Sequence, residues 1–281
     1  MVGERLLALA VTKANGFKQP FDKGKIIKTC MRMGASKKTA YEVAEKIERK
    51  LYDGISSAKI LQLIFLYMRK DKPNVSHLYD LRRGLSLMDS KPEFEKFIQI
   101  LLANNGFEVT QNQILAGKCA EHEVDAIAVR NGVTYFVEAK HHYGYHALTG
   151  LDESRIARAI LEDVTEGYEL GTTKLKIDNA LLVTNTKYSE QATKYASCRN
   201  ILLIGWNSPP NLSVQSMIEE KNLYPLSCLR SLRRDDRARL VDSGIVLMKQ
   251  ITEEPPTSIS RKTGIPQHVL EKIREQIELD S

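Results

Sequence analysis

The sequence predicts a multi-domain α/β protein: a mostly helical N-terminal domain, a central mixed sheet flanked by helices, and a small all-α C-terminal domain. Three observations predict it. The N-terminal third repeats apolar residues at helical spacing, the middle alternates apolar strands with longer helical stretches, and the last quarter holds short helical segments broken by glycine and proline. The length of 281 residues suits two or three domains. We expect them to span residues 1–89, 90–210 and 211–281.

Composition and charge narrow the functional classes. The net charge of +6 comes from an excess of lysine and arginine that lies in the N-terminal third. A basic domain favours a polyanionic partner such as nucleotide phosphates or nucleic acid, and a merely solvated basic surface is the alternative. The sequence has no apolar run of the ~18 residues that a membrane span needs, and no signal-peptide layout. We therefore expect a cytoplasmic protein without a membrane partner.

The four cysteines stand far apart in the sequence, and none forms a C-x-x-C pair. This spacing favours reduced, mostly buried thiols over a disulfide framework or a zinc site. The four residues are Cys30, Cys119, Cys198 and Cys228.

The N-terminal segment is expected to open with a short strand over 7–13 and a turn at Gly16, and to continue mostly as helix. Asp53-Gly54 should end one helix, and Ser56 or Ser57 should cap the next. The apolar positions that define these two helices are Val43, Ala44, Ile47 and Leu51, followed by Ile60, Ile64, Phe65 and Met68.

The central segment reads as α-β-β-α-β-α-β, a mixed sheet covered by helices. Its first helix begins near Pro92, because proline fits the first turn of a helix, and ends near Gly106. Asn131-Gly132 predicts a two-residue hairpin turn between two strands. The remaining elements are a helix over about 152–170, a strand over 180–184, a helix over 189–196 and a strand over 201–206. The apolar face of the first helix consists of Phe94, Phe97, Ile98, Leu101 and Leu102.

The hairpin register brings charged side chains together. A two-residue turn at Asn131-Gly132 makes Asp125 the cross-strand partner of Glu138, and Glu123 the partner of Lys140. Two carboxylates placed opposite each other repel unless a proton or a cation lies between them. The pattern therefore predicts a divalent metal site, with a solvated charge ladder as the alternative.

These residues resemble the PD-(D/E)xK nuclease fold, in particular the Mrr-type restriction endonucleases and the archaeal Holliday-junction resolvases. The resemblance implies a restriction-endonuclease-like domain in which Asp125 and Glu138 bind Mg²⁺ or Mn²⁺. Lys140 would be the catalytic lysine, and Glu95 on the preceding helix an auxiliary acid. Val124 stands where the name of the family has proline.

Other polar residues near the hairpin have open roles. Glu123 shares the charged face and is a candidate further ligand. The segment that follows Lys140 could contact phosphate, stack on bases or simply line a cleft. Arg155 and Arg158 share a helical face that meets either DNA or solvent. The residues after Lys140 in question are His141, His142, Tyr143, Tyr145 and His146.

The N-terminal segment resembles an ATP-cone, the nucleotide-sensing domain of ribonucleotide reductases and their repressor. The resemblance implies ATP or dATP as a regulatory ligand, and its alternative is a domain that kept the fold but lost the ligand. Ala14 stands where the family usually has arginine, and the loss of that cation should weaken phosphate binding or change which nucleotide is preferred. The segments that carry the resemblance are 11–16, 20–22, 25–26, 53–57 and 79–82. By position, Lys13 and Lys25 would meet phosphates, Gln19 and Asp22 the nucleoside, and Ser57 the base or ribose.

The C-terminal segment resembles a helix-hairpin-helix module, whose turn presents backbone N–H groups to a DNA phosphate. Its turn, 263–266, lacks the second glycine of that motif. An arginine cluster precedes it, for which DNA contact and a docking or dimer helix are equally open. The cluster consists of Arg230, Arg233, Arg234, Arg237 and Arg239.

The resemblances together imply a nucleotide-regulated, metal-dependent DNA endonuclease, similar to Mrr-like restriction or defence nucleases. Its partners would be DNA and a nucleotide, and a homo-oligomer is expected. Two alternatives stay open. One is a nucleotide-sensing DNA-binding regulator whose nuclease domain is inert, and the other is a structure-specific resolvase or repair nuclease.

Overall fold

A computed structural model of the chain describes residues 9–13, 16–32, 35–71 and 81–280. They belong to two compact units, one within residues 1–78 and 272–281 and the other within residues 79–271. Among the described residues, no helix combines the length and the apolar character that crossing a membrane requires.

The first unit packs three helices against a small sheet. The strand order is β2-β1-β3, with β1 antiparallel to β2 and parallel to β3. Val11 and Ile55 from the sheet join a core with apolar residues of the helices, Ile26 and Met68 among them. The elements are β1 (Ala10–Thr12), β2 (Lys18–Pro20), α1 (Lys23–Arg32), α2 (Lys37–Glu48), β3 (Ile55–Ser56) and α3 (Ser57–Asp71).

The two helices predicted from periodicity are α2 and α3. The predicted ending at Asp53-Gly54 is wrong, because α2 ends at Glu48 and Asp53-Gly54 turns the chain into β3 instead. Gly54 adopts a left-handed φ of 80° there, which costs glycine nothing. Ser56 caps α3, since its Oγ accepts a hydrogen bond from the Lys59 amide at 3.1 Å. The first part of the predicted strand, residues 7–8, and Ala14 lie outside the described residues.

The second unit is built on a five-stranded mixed sheet with the order β10-β8-β6-β5-β4. Strand β5 is antiparallel to both of its neighbours, β4 and β6, whereas β6, β8 and β10 are parallel. Strands β7 and β9 form a separate two-stranded parallel sheet. The strands are β4 (Glu108–Ala116), β5 (Glu121–Arg130), β6 (Val133–Lys140), β7 (Leu148–Thr149), β8 (Asn179–Thr184), β9 (Lys187–Tyr188) and β10 (Leu202–Ile204).

Helices cover both faces of this sheet, as predicted for a mixed sheet. Apolar residues of α5 and α8 pack on one face, and those of α6 and α7 pack on the other. The helices of this unit are α4 (Leu81–Ser86), α5 (Glu95–Ala103), α6 (Leu151–Leu170), α7 (Glu190–Cys198), α8 (Val214–Lys221), α9 (Arg234–Asp242), α10 (Met248–Glu253) and α11 (Pro256–Thr263), and α12 (Gln267–Asp280) begins here with most of its length in the first unit. A π-helical turn (Ser90–Phe94) precedes α5, and a 3-10 turn (Leu226–Cys228) precedes α9.

The strand β4 is missing from the predicted order of elements. Its polar stretch from Thr110 to Gln113 gives no apolar run, because β4 is the edge strand and most of its side chains face solvent. The predicted hairpin is confirmed: Asn131 and Gly132 have φ of 52° and 76°, and the register runs from Arg130–Val133 to Ala126–Val137.

The C-terminal segment is helical as predicted, with breaks at the expected glycines. Gly244 and Gly264 adopt left-handed φ values of 82° and 69° just after α9 and α11. All four cysteines are free thiols, but the expectation that they are mostly buried is wrong for two of them. Cys119 and Cys198 are exposed because they lie in a hairpin tip and at a helix end.

Candidate functional site

The strand β5 separates from both of its neighbours at Asp125. Its pairing with β4 includes Gln111–Ala126 and Gln113–Val124 but skips the position between them. Asn112, which faces Asp125 there, has a left-handed φ of 33°. Its pairing with β6 ends at Ala126–Val137. The Asp125 peptide group therefore needs partners from outside the ladder.

Helix α5 and strand β6 supply those partners. The Gln99 amide Nε2 donates to the Asp125 carbonyl oxygen at 2.7 Å and to Asn112 Oδ1 at 2.8 Å. The Asp125 carboxylate Oδ2 accepts a hydrogen bond from the Ala139 amide at 2.7 Å. Main chain and side chain of Asp125 are thus fixed by two different elements, which holds the carboxylate at the point where β5 and β6 diverge.

Two further carboxylates lie beside Asp125, and both are shielded from water. Burial raises the pKa of Glu95, a Lys91 hydrogen bond opposes the rise, and the Asp125 charge adds to it. Burial also raises the pKa of Glu138, with Lys140 opposing and Asp125 again adding to the rise. Because the same charge acts on both groups, Glu95 and Glu138 flank Asp125 and compete with it for positive charge.

Two lysines supply that positive charge, one on each side. Lys140 Nζ lies 3.0 Å from Glu138 Oε2 and 3.4 Å from Glu153 Oε2, at the start of α6. Lys91 Nζ lies 3.0 Å from Glu95 Oε1. Burial acts to lower the pKa of Lys140, but Glu138 and Glu153 outweigh it, and the pKa is raised. Lys140 is therefore a cation at neutral pH in this arrangement.

The structure brings together the residues that the sequence singled out at the hairpin. Asp125, Glu138, Lys140 and Glu95 form one cluster, although Asp125 and Glu138 lie just past the last paired position rather than within the ladder. Sequence reasoning missed three members of this cluster, Lys91, Gln99 and Glu153. Gln99 could have been found, because it stands four residues after Glu95 on a helix that is otherwise mostly apolar.

The donor set fits a hard divalent cation. Mg²⁺ is usually held by one or two carboxylates, with water and substrate oxygens completing the octahedron. Asp125 and Glu138 could supply those carboxylates, and the pKa of Glu138 is raised chiefly by burial, with the Asp125 charge adding to the rise. Within the described part of the chain, no group of three or more His, Cys, Asp or Glu is arranged to hold a metal. A cation here would therefore depend on water and substrate for most of its ligands.

His141 ties the strand end to the segment before α5. A carbonyl only accepts, so His141 Nε2 donates to the Leu85 oxygen at 2.9 Å, and Nδ1 accepts from Ser90 Oγ at 3.1 Å. Burial lowers its pKa, with the Leu85 hydrogen bond opposing the shift. A neutral ring with both nitrogens engaged is a positioning group rather than a metal ligand.

His142 is engaged as well. Its Nε2 lies 3.0 Å from Thr149 Oγ1, which belongs to a buried hydroxyl cluster with Thr184 and Thr186. The main chain of His142 exchanges two hydrogen bonds with the Asn185 side chain. The rings beyond are more open: Tyr143 is exposed, and Tyr145 stacks on His146 and lies beneath the Arg82 guanidinium.

The expected nucleotide-binding residues occupy two ends of the small sheet in the first unit. Lys13 and Ser57 directly follow β1 and β3, whose register pairs Thr12 with Ser56, so they adjoin at one edge. Gln19 lies in β2, opposite Val11. Beyond the other end of β2, the Asp22 carboxylate accepts a hydrogen bond from the Gly24 amide at 2.9 Å, and Lys25 lies in α1.

Most of the C-terminal arginine cluster contacts protein. Arg237 Nε lies 3.3 Å from the buried Glu93 carboxylate, and its NH2 donates to the Leu87 carbonyl at 2.8 Å. Arg234 pairs with Asp89 at 3.0 Å, and Arg233, just before α9, pairs with Asp236 of that helix. The contacts of Arg234 and Arg237 join α9 to the segment that leads into α5, and the role of the cluster toward DNA or a partner protein stays a prediction.

Three family models match successive parts of the chain. Residues 9–85 match the model described as ATP cone domain, residues 87–207 match Mrr_cat, described as restriction endonuclease, and residues 224–279 match the model described as AF1548-like, C-terminal. These matches confirm the two resemblances that the sequence suggested for the N-terminal and central segments.

Two relatives from Archaeoglobus fulgidus match parts of the chain. A protein described as uncharacterized is 36% identical over 151 residues, which is 54% of this chain and 81% of that protein. A second, also described as uncharacterized, is 49% identical over 41 residues, 15% of this chain and 87% of that protein. A solved structure titled "Crystal Structure of Protein of Unknown Function AF1548" superposes with a TM-score of 0.58 at 29% identity, covering 72% of this chain and 98% of that one. The chain belongs to the same family as the first of these relatives, and along it an ATP cone domain precedes a restriction endonuclease domain and an AF1548-like C-terminal domain.

Proposed function

We propose that the protein is a metal-dependent DNA endonuclease regulated by a nucleotide. The observation that carries the proposal is the cluster of Asp125, Glu138 and Lys140, in which Asp125 is fixed by Gln99 and Ala139 and the Glu138 carboxylate pairs with the Lys140 ammonium. The restriction endonuclease match over 87–207 supports the same reaction class. We assign the functional segments as 1–89 for the nucleotide, 90–210 for the chemistry and 211–281 for a helical module that contacts DNA or partner protein.

Asp125 and Glu138 would hold Mg²⁺ or Mn²⁺. Bound there, the cation would supply Lewis acidity toward a phosphodiester oxygen and lower the pKa of a coordinated water. The Ala139 hydrogen bond holds the Asp125 carboxylate in position. Glu95, next to Asp125, has a raised pKa and could take up a proton there. No further protein ligand is required, because water and phosphate oxygens complete the shell.

Lys140 stabilises negative charge on the reacting phosphate. Its raised pKa favours the ammonium form, and an ammonium donates hydrogen bonds to phosphate oxygens rather than removing a proton from water. Glu138 and Glu153 hold the ammonium from two sides, so its position is set before DNA arrives. The product expected from attack by water, by resemblance to the nuclease family, is a 5′ phosphate.

ATP or dATP is the proposed regulatory ligand, bound by Lys13, Gln19, Asp22, Lys25 and Ser57. The ATP cone match extends to residue 85, yet Leu81 and Leu85 of α4 pack in the core of the second unit. The Leu85 carbonyl accepts from His141, the neighbour of Lys140. A shift of α4 would therefore act through one hydrogen bond on His141, the residue next to the proposed catalytic lysine. This supports regulation of nuclease activity, through either domain arrangement or homo-oligomer formation.

Plasmid cleavage tests the function directly. Methylated and unmethylated plasmid is incubated with the protein and Mg²⁺ or Mn²⁺, with and without ATP or dATP. We expect metal-dependent nicking that falls at least about a hundredfold in Asp125→Ala and Lys140→Ala. Asp152→Ala is the matched control, since Asp152 is exposed and pairs with Arg155 in its own helix turn.

Two outcomes would overturn parts of the proposal. DNA binding without cleavage under any metal and nucleotide condition would indicate a regulator with an inert nuclease domain. Equal cleavage rates with and without nucleotide, in a protein shown to bind it, would remove the regulation. A preference for branched over linear duplex would keep the reaction and assign a structure-specific substrate.

A further inference from the structure

Lys91 lies in the active-site cluster although no motif of the sequence includes it. It lies at a kink just before α5, where its backbone is extended with φ of −129° and ψ of 138°, four residues ahead of Glu95, and its Nζ lies 3.0 Å from Glu95 Oε1. Ion pairs at this spacing are common on helices and contribute little when both partners are exposed. The pair of Lys91 and Glu95 differs from that case in burial.

The Glu95 side chain is 9% exposed, whereas the Lys91 side chain is 68% exposed. The Lys91 ammonium thus contacts a shielded carboxylate, while most of the Lys91 side chain is exposed to solvent. A comparison within the chain is Lys194 with Glu190, also four residues apart and 2.7 Å from each other, where both side chains are more than 70% exposed. Of these two pairs, only Lys91 with Glu95 joins an exposed lysine side chain to a shielded carboxylate.

The Lys91 charge acts on more than Glu95. The Glu95 hydrogen bond and charge raise the pKa of Lys91 most, and Asp125 and Glu123 add to the rise. The Lys91 charge in turn acts to lower the pKa of Glu138, against the rise that burial causes. Its ammonium therefore lies on the Glu95 and Asp125 side of the cluster, whereas Lys140 lies on the Glu138 and Glu153 side.

The turn that carries Lys91 is held in place. The Asp89 amide donates to Glu93 Oε2 at 2.8 Å, the Phe94 amide donates to the Asp89 carbonyl at 3.0 Å, and Ser90 Oγ bonds His141 at 3.1 Å. Glu93 is further fixed by Arg237. A side chain on so constrained a turn has a defined position relative to the strand end that bears Lys140.

We propose that Lys91 is a substrate-binding residue that contacts a DNA phosphate beside the scissile one. This inference rests on the proposed nuclease function. A cation at Asp125 and Glu138 supplies the charge that Lys91 otherwise gives to the cluster, which frees the exposed ammonium for an anion. The duplex backbone carries regularly spaced phosphates, so two ammonium groups flanking one carboxylate cluster fit neighbouring phosphates of one strand.

DNA affinity as a function of salt tests this role. Fluorescence anisotropy with a duplex oligonucleotide in Ca²⁺ is measured for the wild type, Lys91→Ala, Lys91→Arg and Lys194→Ala over a series of KCl concentrations. We expect Lys91→Ala to bind roughly two- to tenfold more weakly and to lower the slope of log affinity against log salt by about 0.9, the value for one lost phosphate contact. Lys91→Arg should keep both values near the wild type, and Lys194→Ala should match the wild type.

Cleavage in Mg²⁺ gives a second readout. A phosphate contact of Lys91 predicts that Lys91→Ala raises KM more than it lowers kcat. Wild-type affinity and an unchanged salt slope in Lys91→Ala would overturn the proposal, as would an arginine variant no better than alanine. If the wild type binds DNA but does not cleave it, the nuclease function fails while the affinity series still decides the role of Lys91. If the wild type binds no DNA, both fail.

Discussion

The Gln99 side chain holds the Asp125 main chain in place: its Nε2 donates to the Asp125 carbonyl oxygen at 2.7 Å. The same amide nitrogen donates to Asn112 Oδ1 at 2.8 Å, which closes the gap where β4 and β5 are unpaired. Gln99 is 4% exposed, so no water competes for these bonds. Helix α5 therefore holds the main chain of the candidate metal ligand, while the Ala139 amide of β6 holds its carboxylate.

Replacing Gln99 with leucine should reduce cleavage and stability together. The variant leaves the Asp125 carbonyl without a donor in a shielded place, which costs about 1–3 kcal/mol in the free energy of unfolding. The carboxylate would shift with it, and we expect nuclease activity to fall at least about tenfold.

Urea unfolding and plasmid cleavage measure the two effects. Gln215→Leu is the control, since Gln215 is a comparably buried helical glutamine whose amide donates to Glu219 instead. Full activity in Gln99→Leu, at a stability where the protein is folded, would show that Asp125 keeps its position without Gln99.

The sequence predicted the hairpin register because the Asn-Gly turn leaves one pairing for two strands with a buried face. It could not predict that β5 leaves the ladder at Asp125. That separation depends on Gln99, which is distant in sequence, and on a left-handed Asn112. Sequence spacing therefore brought the candidate ligands to one place in the hairpin, and tertiary contacts determined their geometry.

The missed elements share a physical cause as well. Strand β4 is polar because it lies at the sheet edge. In the sequence alone, the charges of Lys91 and Glu153 cannot be told from those of any solvated surface residue. Only their proximity to buried carboxylates distinguishes them. The arginines of α9 posed the same ambiguity, and their acidic partners, Asp89 and Glu93, lie far away in sequence.

Replacing Arg237 with methionine should destabilise the second unit. Arg237 and Glu93 form an ion pair whose side chains are 13% and 3% exposed. Removing one partner of a buried pair leaves an uncompensated charge and costs about 3–5 kcal/mol in the free energy of unfolding. Because Glu93 also fixes the turn before Glu95, cleavage should fall too.

Thermal and urea unfolding measure this cost. Arg239→Ala serves as the control, because Arg239 is an exposed residue of the same helix. A Glu93→Gln change added to Arg237→Met should recover part of the loss, since it removes the unpaired charge. No recovery in the double variant would point to lost packing rather than to the charge.

Gly167 should not tolerate alanine. The glycine lies in α6 where the β4–β5 hairpin tip packs on it, and an added Cβ would stand 2.7 Å from the Gly117 carbonyl carbon and 2.8 Å from the Ala116 oxygen. Both are main-chain atoms that cannot rotate away. We expect Gly167→Ala to lower the free energy of unfolding by about 1–3 kcal/mol, measured by urea unfolding. Gly144→Ala, whose Cβ would meet nothing within 4 Å, should differ little from the wild type.

Acidification should weaken the tie between β6 and the segment before α5, because His141 must stay neutral to accept from Ser90. Burial lowers the pKa of His141 below its ordinary value near 6.5. The unfolded chain therefore takes up the proton first, so the contribution of His141 to stability is complete above that pH and declines as the pH falls toward the folded-state pKa. The ring is partly exposed, which keeps the slope well below the one-proton ceiling of about 1.4 kcal/mol per pH unit.

Urea unfolding of the wild type and of His141→Gln between pH 5 and 8 separates this contribution from other groups. Glutamine does not titrate, so the wild-type advantage over His141→Gln should shrink as the pH falls. Parallel curves for the wild type and His141→Gln would contradict the assignment. Because His141 adjoins Lys140 and receives its hydrogen bond from Ser90, next to Lys91, the same acid range should reduce cleavage in the wild type more steeply than in His141→Gln.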